Sequence, residues 1–296
     1  MKTNSGGSIK DYLSLVKFSH TIFALPFALV GYFIAIYSND FDFSVRTLLL
    51  VVLCMVFARN AAMSFNRVTD RFIDKRNPRT ASREIPSGKI HPRNAFLFSM
   101  VNSILFIATT FFINELVFYL SPVALLVVLG YSYTKRFTVL CHFILGLGLS
   151  LAPIGAYLAV TGKWALLPIL YSLIVLFWVA GFDIIYSLQD EEFDKEEALR
   201  SIPAVLGRKK ATVLSFILHV GVTVLVIKTM LVQQTGLLLW IGAAVFIGLL
   251  ILQHIAIRRS SNSKIDFLFA TINGFASLLF AILNILSLYF PNLLIN

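Results

Sequence analysis

Charge is what this sequence has least of. Only 14% of its 296 residues are charged and 15 are acidic, while 58% are hydrophobic and the mean hydropathy is +0.83. Soluble domains carry about 25% charged and about 45–50% apolar residues. So large an apolar excess cannot be hidden in one soluble core, which argues against a water-soluble globular enzyme. The same composition excludes a disordered, collagen-like or coiled-coil chain. Cysteine is nearly absent too. Cys54 and Cys141 cannot make a disulfide scaffold, and both lie in apolar runs, where they read as small core residues. A net charge of +10 would suggest nucleic acid in a soluble protein. In a membrane protein it reports basic loops on the cytoplasmic side, so no nucleic-acid partner is expected.

Long apolar runs are what the sequence has in quantity. A membrane helix needs roughly 20 mostly apolar residues. Nine segments qualify: Phe18–Ser38, Val45–Phe65, Ala95–Ile113, Leu116–Thr134, Val139–Thr161, Ala165–Leu188, Thr212–Met230, Thr235–Ile257 and Phe267–Phe290. The fold class is therefore all-α integral membrane, a single polytopic domain over residues 1–296. The first run is too long for a signal-peptide core and lacks a cleavage site, so it is expected to be structural. With nine spans, 21 Lys and Arg fall on one side of the membrane and only Arg46, Lys163 and Lys228 on the other; Arg59, inside the second span, completes the 25. This asymmetry puts the N-terminus on the cytoplasmic side and the C-terminus outside, in a bacterial inner membrane.

The few acids are unevenly placed. One cluster runs from Asn66 through Asp70 to Asp74, the other from Asp183 through Asp190 to Asp194, at the cytoplasmic ends of the second and sixth spans. Spacings of i, i+4, i+8 and i, i+7, i+11 each predict a row near one helix face. Asp70 and Asp190 are 120 residues apart, as are Asp74 and Asp194, a hint of two related four-helix halves. Such acids could simply solvate helix ends beside Arg and Lys. Carboxylates at a helix C-terminus oppose its dipole, however, and two facing rows repel unless a cation lies between them. All-oxygen ligands suit Mg²⁺, which binds through one or two carboxylates plus substrate phosphates. Arg79, Arg83, Lys135 and Arg136 surround the acids. Alone, the loop carrying Arg79 and Arg83 would be an ordinary basic loop; beside two carboxylate rows it suggests a diphosphate site.

These residues resemble the UbiA family of intramembrane aromatic prenyltransferases. The likeness rests on N-x-x-x-D-x-x-x-D (Asn66, Asp70, Asp74), on Y-x-x-x-K-R-x-T (Tyr131, Lys135, Arg136, Thr138), and on a second D-x-x-x-D (Asp190, Asp194) preceded by Asp183. It implies nine helices around a central cavity, capped at the cytoplasmic mouth by loops near 66–94 and 189–211. It implies Mg²⁺-dependent transfer of a polyprenyl group from polyprenyl diphosphate to a small aromatic acceptor, with the bilayer as surroundings. By position, Asp70, Asp74, Asp190 and Asp194 would hold Mg²⁺ and diphosphate. Asn66, Arg79, Arg83, Tyr131 and Lys135 would contact the diphosphate, and Asp183 would support either task. The stretches Ser82–Gly88, Leu151–Tyr157 and Phe177–Tyr186 are similar to 4-hydroxybenzoate polyprenyltransferases. They are also similar to a close branch prenylating 1,4-dihydroxy-6-naphthoate in the futalosine route to menaquinone.

For a carboxylated phenol the acceptor needs a cationic partner. Arg59 lies roughly 10 Å deeper than Asn66 along one helix, where a charge should face the cavity or a polar group. Arg59 or Arg136 is the expected partner, with a pairing of Arg59 to Asp183 or to a helix carbonyl as the structural alternative. The histidines look isolated and are expected to be structural. The phenylalanines are expected mainly in core packing and against lipid. A transporter or channel using the Asp and Arg clusters as an ion path is the competing reading, but the acids gather at one face and no second polar stripe crosses to the other.

Overall fold

The computed structural model describes residues 7–17, 23–39, 41–259 and 265–292, and leaves the side chains of 258–259 and 265–270 undescribed. The start of the first expected span, with His20, lies outside these residues. The elements run α1 (Ile9–Leu15), α2 (Leu25–Asn39), α3 (Val45–Thr69), α4 (Arg71–Arg76), α5 (Pro92–Phe111), α6 (Glu115–Thr134), α7 (Cys141–Thr161), α8 (Leu166–Ser187), α9 (Glu191–Glu196), α10 (Ile202–Gln233), α11 (Leu237–Arg259) and α12 (Ile265–Tyr289). Among the described residues, eight helices are long and apolar enough to cross a membrane; α2 is a shorter apolar helix. Leu126, Tyr119, Ile104 and Val224 stand out on the outer surface, each more than half exposed. In water such a surface would be untenable, and in lipid it is the ordinary case.

Polar caps set the helix starts. The Ser44 hydroxyl accepts from the Thr47 N–H at 3.2 Å at the head of α3, and the Asn114 side chain accepts from the Val117 N–H at 2.9 Å at the head of α6. α7 stops at Gly162, whose φ of 62° suits a residue without a side chain. α10 begins ten residues before the expected Thr212, because Ser201 caps it and Pro203 sits in its first turn. Gly207, at φ 76° and ψ 160°, then kinks it.

Neither carboxylate row keeps to one continuous helix, contrary to the spacing argument. α3 gives way at Asp70, where the Thr69 carbonyl accepts from Arg136 Nη2 at 2.7 Å. The Thr69 hydroxyl turns back to the Asn66 carbonyl at 2.9 Å. These bonds compete with the helical ladder. In the second row α8 ends at Ser187, and a tight 3₁₀ turn over Leu188–Asp190 redirects the chain into α9.

The bundle is filled unevenly. Trp178 on α8 is fully buried among Phe27, Phe182 and Phe246, at ring separations of 5.5, 5.0 and 5.6 Å, and Phe280 stacks 4.9 Å from Phe246. Aromatic rings thus close the space between α2, α8, α11 and α12. Two backbone seams fix α7 beside them. A side chain at Gly31 of α2 would strike the Pro153 main chain, and one at Gly146 of α7 would strike the Leu176 main chain of α8. On its other side α7 borders a cavity of about 410 Å³ shared with α3, α5 and α6. Its walls include Val51, Met55, Leu120, Ala124, Val127 and Leu149, and Phe106 alone among the described phenylalanines lines it.

Candidate active site

At the end of the bundle where α3, α6 and α8 finish, the cavity meets a second, polar pocket of about 280 Å³. Met63, Tyr131 and Leu145 line both spaces, so the apolar cavity lies directly beside the polar one. The polar pocket gathers Asn66, Asp70, Asp74, Arg79, Arg83, Tyr131, Lys135, Arg136, Asp183 and Asp190. Two expected residues are not on its surface. Arg59 lines the apolar cavity instead, and Asp194 is fully buried one layer behind Lys135.

Each of the four motif aspartates has its own cation. Arg136 Nη2 donates to Asp70 Oδ1 at 3.0 Å, and Arg83 Nη1 to Asp74 Oδ1 at 2.7 Å. Arg79 grips both oxygens of Asp190, its Nε at 2.9 Å from Oδ1, and also donates to the Tyr186 hydroxyl at 3.0 Å. Lys135 Nζ lies 2.7 Å from Asp194 Oδ1, while the Ser201 hydroxyl donates to Oδ2 at 2.6 Å. Asn77 adds a bond to Asp190 Oδ1 at 2.9 Å, and Asn66 one to Asp70 Oδ2 at 3.0 Å. The alternating charges explain how four carboxylates share so small a space.

Their surroundings set their proton affinities. Burial holds the Asp70 carboxyl above the usual carboxylate range, with the Arg136 contact opposing this only in part. Burial would lower Lys135, but the Asp194 charge beside it prevails and raises it. Burial likewise disfavours the charged form of Arg79, and the Asp190 carboxylate outweighs it, so Arg79 rises too. The charged forms of Lys135 and Arg79 are thus favoured by their carboxylate partners, and that of Asp70 is disfavoured by its burial.

Several partners differ from expectation. Asp183 does not pair with Arg59; its Oδ2 accepts from His142 Nδ1 at 2.7 Å. His142 Nε2 accepts from the Ile202 N–H at 3.2 Å, which assigns the ring proton to Nδ1. Arg59 Nη2 instead donates to the Lys17 carbonyl at 3.1 Å, and its buried Nε has no partner. Nor are the other histidines isolated, since His219 Nδ1 and His254 Nε2 lie 2.8 Å apart between α10 and α11. Cys54 lines the apolar cavity and Cys141 the polar pocket. Lys17, Arg67, Asn77, His142 and Tyr186 also line the polar pocket without having been singled out in the sequence. Arg67 had a signal available: three residues before Asp70, it shares the inner face of α3. His142 had none, because its partner is 41 residues away.

The residues fit a divalent cation in one respect that can be read directly. Asp74, which lines the polar pocket, keeps its buried Oδ2 without a hydrogen-bond partner, so one carboxylate oxygen is not committed to the protein. Among the described residues no three His, Cys, Asp or Glu side chains converge closely enough to hold an ion by themselves.

Comparison with known proteins agrees with this architecture. The chain is 26% identical to a 4-hydroxybenzoate octaprenyltransferase from Aliivibrio fischeri, over 82% of this chain and 85% of that protein. It is 30% identical to one from Nitrosomonas eutropha, over 79% and 82%. Its structure is similar to the apo structure of a UbiA homolog from Aeropyrum pernix K1, at a TM-score of 0.82 and 32% identity, covering 90% of this chain and 97% of that one. A UbiA homolog from Archaeoglobus fulgidus, solved bound to DMAPP and Mg²⁺, shares the fold at a TM-score of 0.67 and 20% identity, covering 90% and 99%. Residues 24–288, nearly the whole helical bundle, match the UbiA prenyltransferase family. This chain is therefore an integral membrane enzyme of the UbiA prenyltransferase family.

Proposed function

We propose that this enzyme transfers a polyprenyl group from polyprenyl diphosphate to a ring carbon of a small carboxylated phenol in respiratory quinone biosynthesis. The acceptor is 4-hydroxybenzoate or 1,4-dihydroxy-6-naphthoate, and the reaction uses Mg²⁺. One observation carries the reading: a pocket of paired carboxylates and cations adjoins an apolar cavity, with Tyr131 in the wall of both. An amphiphile with an anionic head and a long hydrocarbon tail matches that pair of spaces. The names of the relatives support a hydroxybenzoate acceptor.

Asp70, Asp74 and Asp190 would hold the metal, with Asp194 fixing Lys135 from behind. When bound, Mg²⁺ neutralises charge on the departing diphosphate. Arg136, Arg83 and Arg79, which pair with these aspartates in the unliganded protein, would donate to phosphate oxygens together with Lys135 and Asn66 once the carboxylates are otherwise engaged. The prenyl C1–O bond breaks and its electron pair leaves on the diphosphate, whose charge these donors stabilise. The allylic cation forms beside apolar walls that exclude water and so prevent hydrolysis to prenyl alcohol. A ring carbon ortho to the phenol hydroxyl forms the new C–C bond and then loses its proton.

Arg59 is the better supported partner for the acceptor carboxylate. It lines the apolar cavity with a spare Nε, whereas Arg136 is engaged by Asp70 and the Thr69 carbonyl. Asp183, held by His142, completes the pocket floor. The segments around α4 and α9 act as one cap within a single domain, supported by the Arg76–Glu197 and Arg79–Asp190 pairs that join them. The excess of Lys and Arg at this end supports a cytoplasmic mouth and an external C-terminus in a bacterial inner membrane.

The test is an acceptor panel offered to detergent-purified protein with a long-chain prenyl diphosphate, read by product mass. Diphosphate should be released only when Mg²⁺, donor and acceptor are all present. Flux of an ion or anion through liposomes without bond formation would favour a transporter. Arg59→Ala should raise the acceptor KM and leave diphosphate affinity unchanged; unaltered kinetics would remove Arg59 from the acceptor site.

A further inference from the structure

Arg67 differs from every other arginine on the polar pocket. Arg79, Arg83 and Arg136 each hold an aspartate. Arg67, in the last turn of α3, is only 4% exposed, yet its guanidinium makes no hydrogen bond or ion pair with any described residue. Its Nε is buried and unpartnered. Arg83, Asp74, Tyr131 and Glu84 act on it most strongly among the ionisable groups, and Arg59 is close enough to repel it. Asp74 cannot compensate it fully, because its Oδ1 is already held by Arg83.

A buried cation without a partner is among the most costly arrangements a fold can contain. Long basic side chains commonly escape this cost by extending to water. Arg67 does not, since its side chain stays inside. The arrangement makes sense if the missing partner arrives from outside the chain. An arginine fork is suited to two oxygens of one anion, and it keeps its charge even when desolvated.

Its position discriminates between the two anions that must enter. Arg59, two helical turns away, lines the apolar cavity, whereas Arg67 lines the polar pocket beside Asn66, Asp70 and Asp74. We propose that Arg67 is a further substrate-binding residue, whose unpaired guanidinium is kept for the phosphate oxygens of the prenyl diphosphate. The proposal rests on the reading of the polar pocket as a diphosphate site. Unlike its neighbours, Arg67 has no carboxylate to release before it can bind, so it is available to the headgroup from first contact.

The experiment uses the full chain in detergent and inorganic pyrophosphate with Mg²⁺ as the probe, followed by calorimetry. A parallel arm uses 4-hydroxybenzoate, and a third records thermal unfolding of the unliganded protein. Arg67→Met should weaken pyrophosphate binding about tenfold or more, the loss expected for a charge-assisted bond. It should leave 4-hydroxybenzoate binding unchanged and raise the melting temperature, because an uncompensated charge has been removed. Arg67→Lys should restore part of the pyrophosphate affinity, and Arg67→Gln takes the place of the methionine variant if that fails to fold. Unchanged pyrophosphate affinity in a folded variant would overturn the proposal. So would a loss confined to 4-hydroxybenzoate, which would reassign Arg67 to the acceptor. Weakened pyrophosphate binding with a lowered melting temperature and no rescue by lysine would make Arg67 part of the framework, and would overturn it equally. Wild-type protein that binds no pyrophosphate would instead remove the diphosphate reading of the pocket, and this inference with it.

Discussion

In the second carboxylate motif every oxygen has a protein cation or donor beside it: Asp190 is held by Arg79 and Asn77, and Asp194 by the Ser201 hydroxyl at Oδ2 and by an ion pair with Lys135, without a hydrogen bond, at Oδ1. In the first motif Asp70 is only loosely held, and Asp74 keeps one oxygen with no partner. The two motifs look interchangeable in sequence, but they are committed to different degrees. A carboxylate whose lone pairs are taken by the protein joins chain segments, while one with a vacancy is available to a ligand. The second motif therefore braces the cap, and the first offers the readier oxygens.

The largest expected effect separates these roles. Asp74→Asn, which keeps an amide oxygen for Arg83, should lower Mg²⁺-dependent turnover by about a hundred- to a thousand-fold, a loss typical of removing a transition-state electrostatic contact, and disturb thermal unfolding less than the loss of Asp194 does. Asp194→Ala should instead destabilise the fold by about 1–3 kcal/mol, since Lys135 loses its partner in a largely buried setting. Turnover measured beside calorimetric unfolding checks both, and equal destabilisation by the two variants would break the distinction.

Next in size is a pH effect at Asp70. Its folded carboxyl is raised above the ordinary carboxylate value, mainly by burial. Its contribution to stability is therefore complete below the ordinary value and is lost as pH rises through the raised one. At neutral pH the metal-free protein thus carries a disfavoured charge that Mg²⁺ would relieve. Thermal stabilisation by Mg²⁺ should be greater at about pH 7.5 than at about pH 5. Asp70→Asn should abolish that pH dependence and raise the melting temperature of the metal-free protein at neutral pH.

The smallest effect belongs to the cap's outer edge. Glu197 is held below its ordinary value by hydrogen bonds from Arg76. The stability this adds is present above the ordinary glutamate value and is lost as pH falls through the lowered one. The pair is exposed, so Arg76→Ala should shift the melting temperature only slightly, and less in high salt. Limited proteolysis around residues 76–90 gives a more sensitive reading of the same contact.

The spans, the two motifs and the basic loops were legible in the sequence because each is a local signal: a run length, a spacing or a cluster. The occupancy of each carboxylate was not. Asp183 meets His142 across 41 positions, and His219 meets His254 across 35, so no spacing announces either pair. Arg67 was counted among the loop cations because charge alone does not reveal burial. Asp194 looked like Asp190 until the 3₁₀ turn over Leu188–Asp190 rotated one toward the pocket and the other behind Lys135. The straight-helix assumption failed where side chains compete for the backbone, at Thr69 and Ser187.

Gly31 and Gly146 bring α2 and α8 into main-chain contact with α7. Helices meeting backbone to backbone have no side-chain layer that could rearrange between them, so this trio behaves as a stator. On the cavity side α6 packs on α7, and the Asn114 side chain at its head donates to the Leu158 carbonyl at 2.9 Å, while α3 and α5 face α7 mainly across the open volume. The cavity therefore has a fixed wall on the α2–α7–α8 side, and a bulkier residue at Gly31 would disturb that wall by forcing α2 away from Pro153.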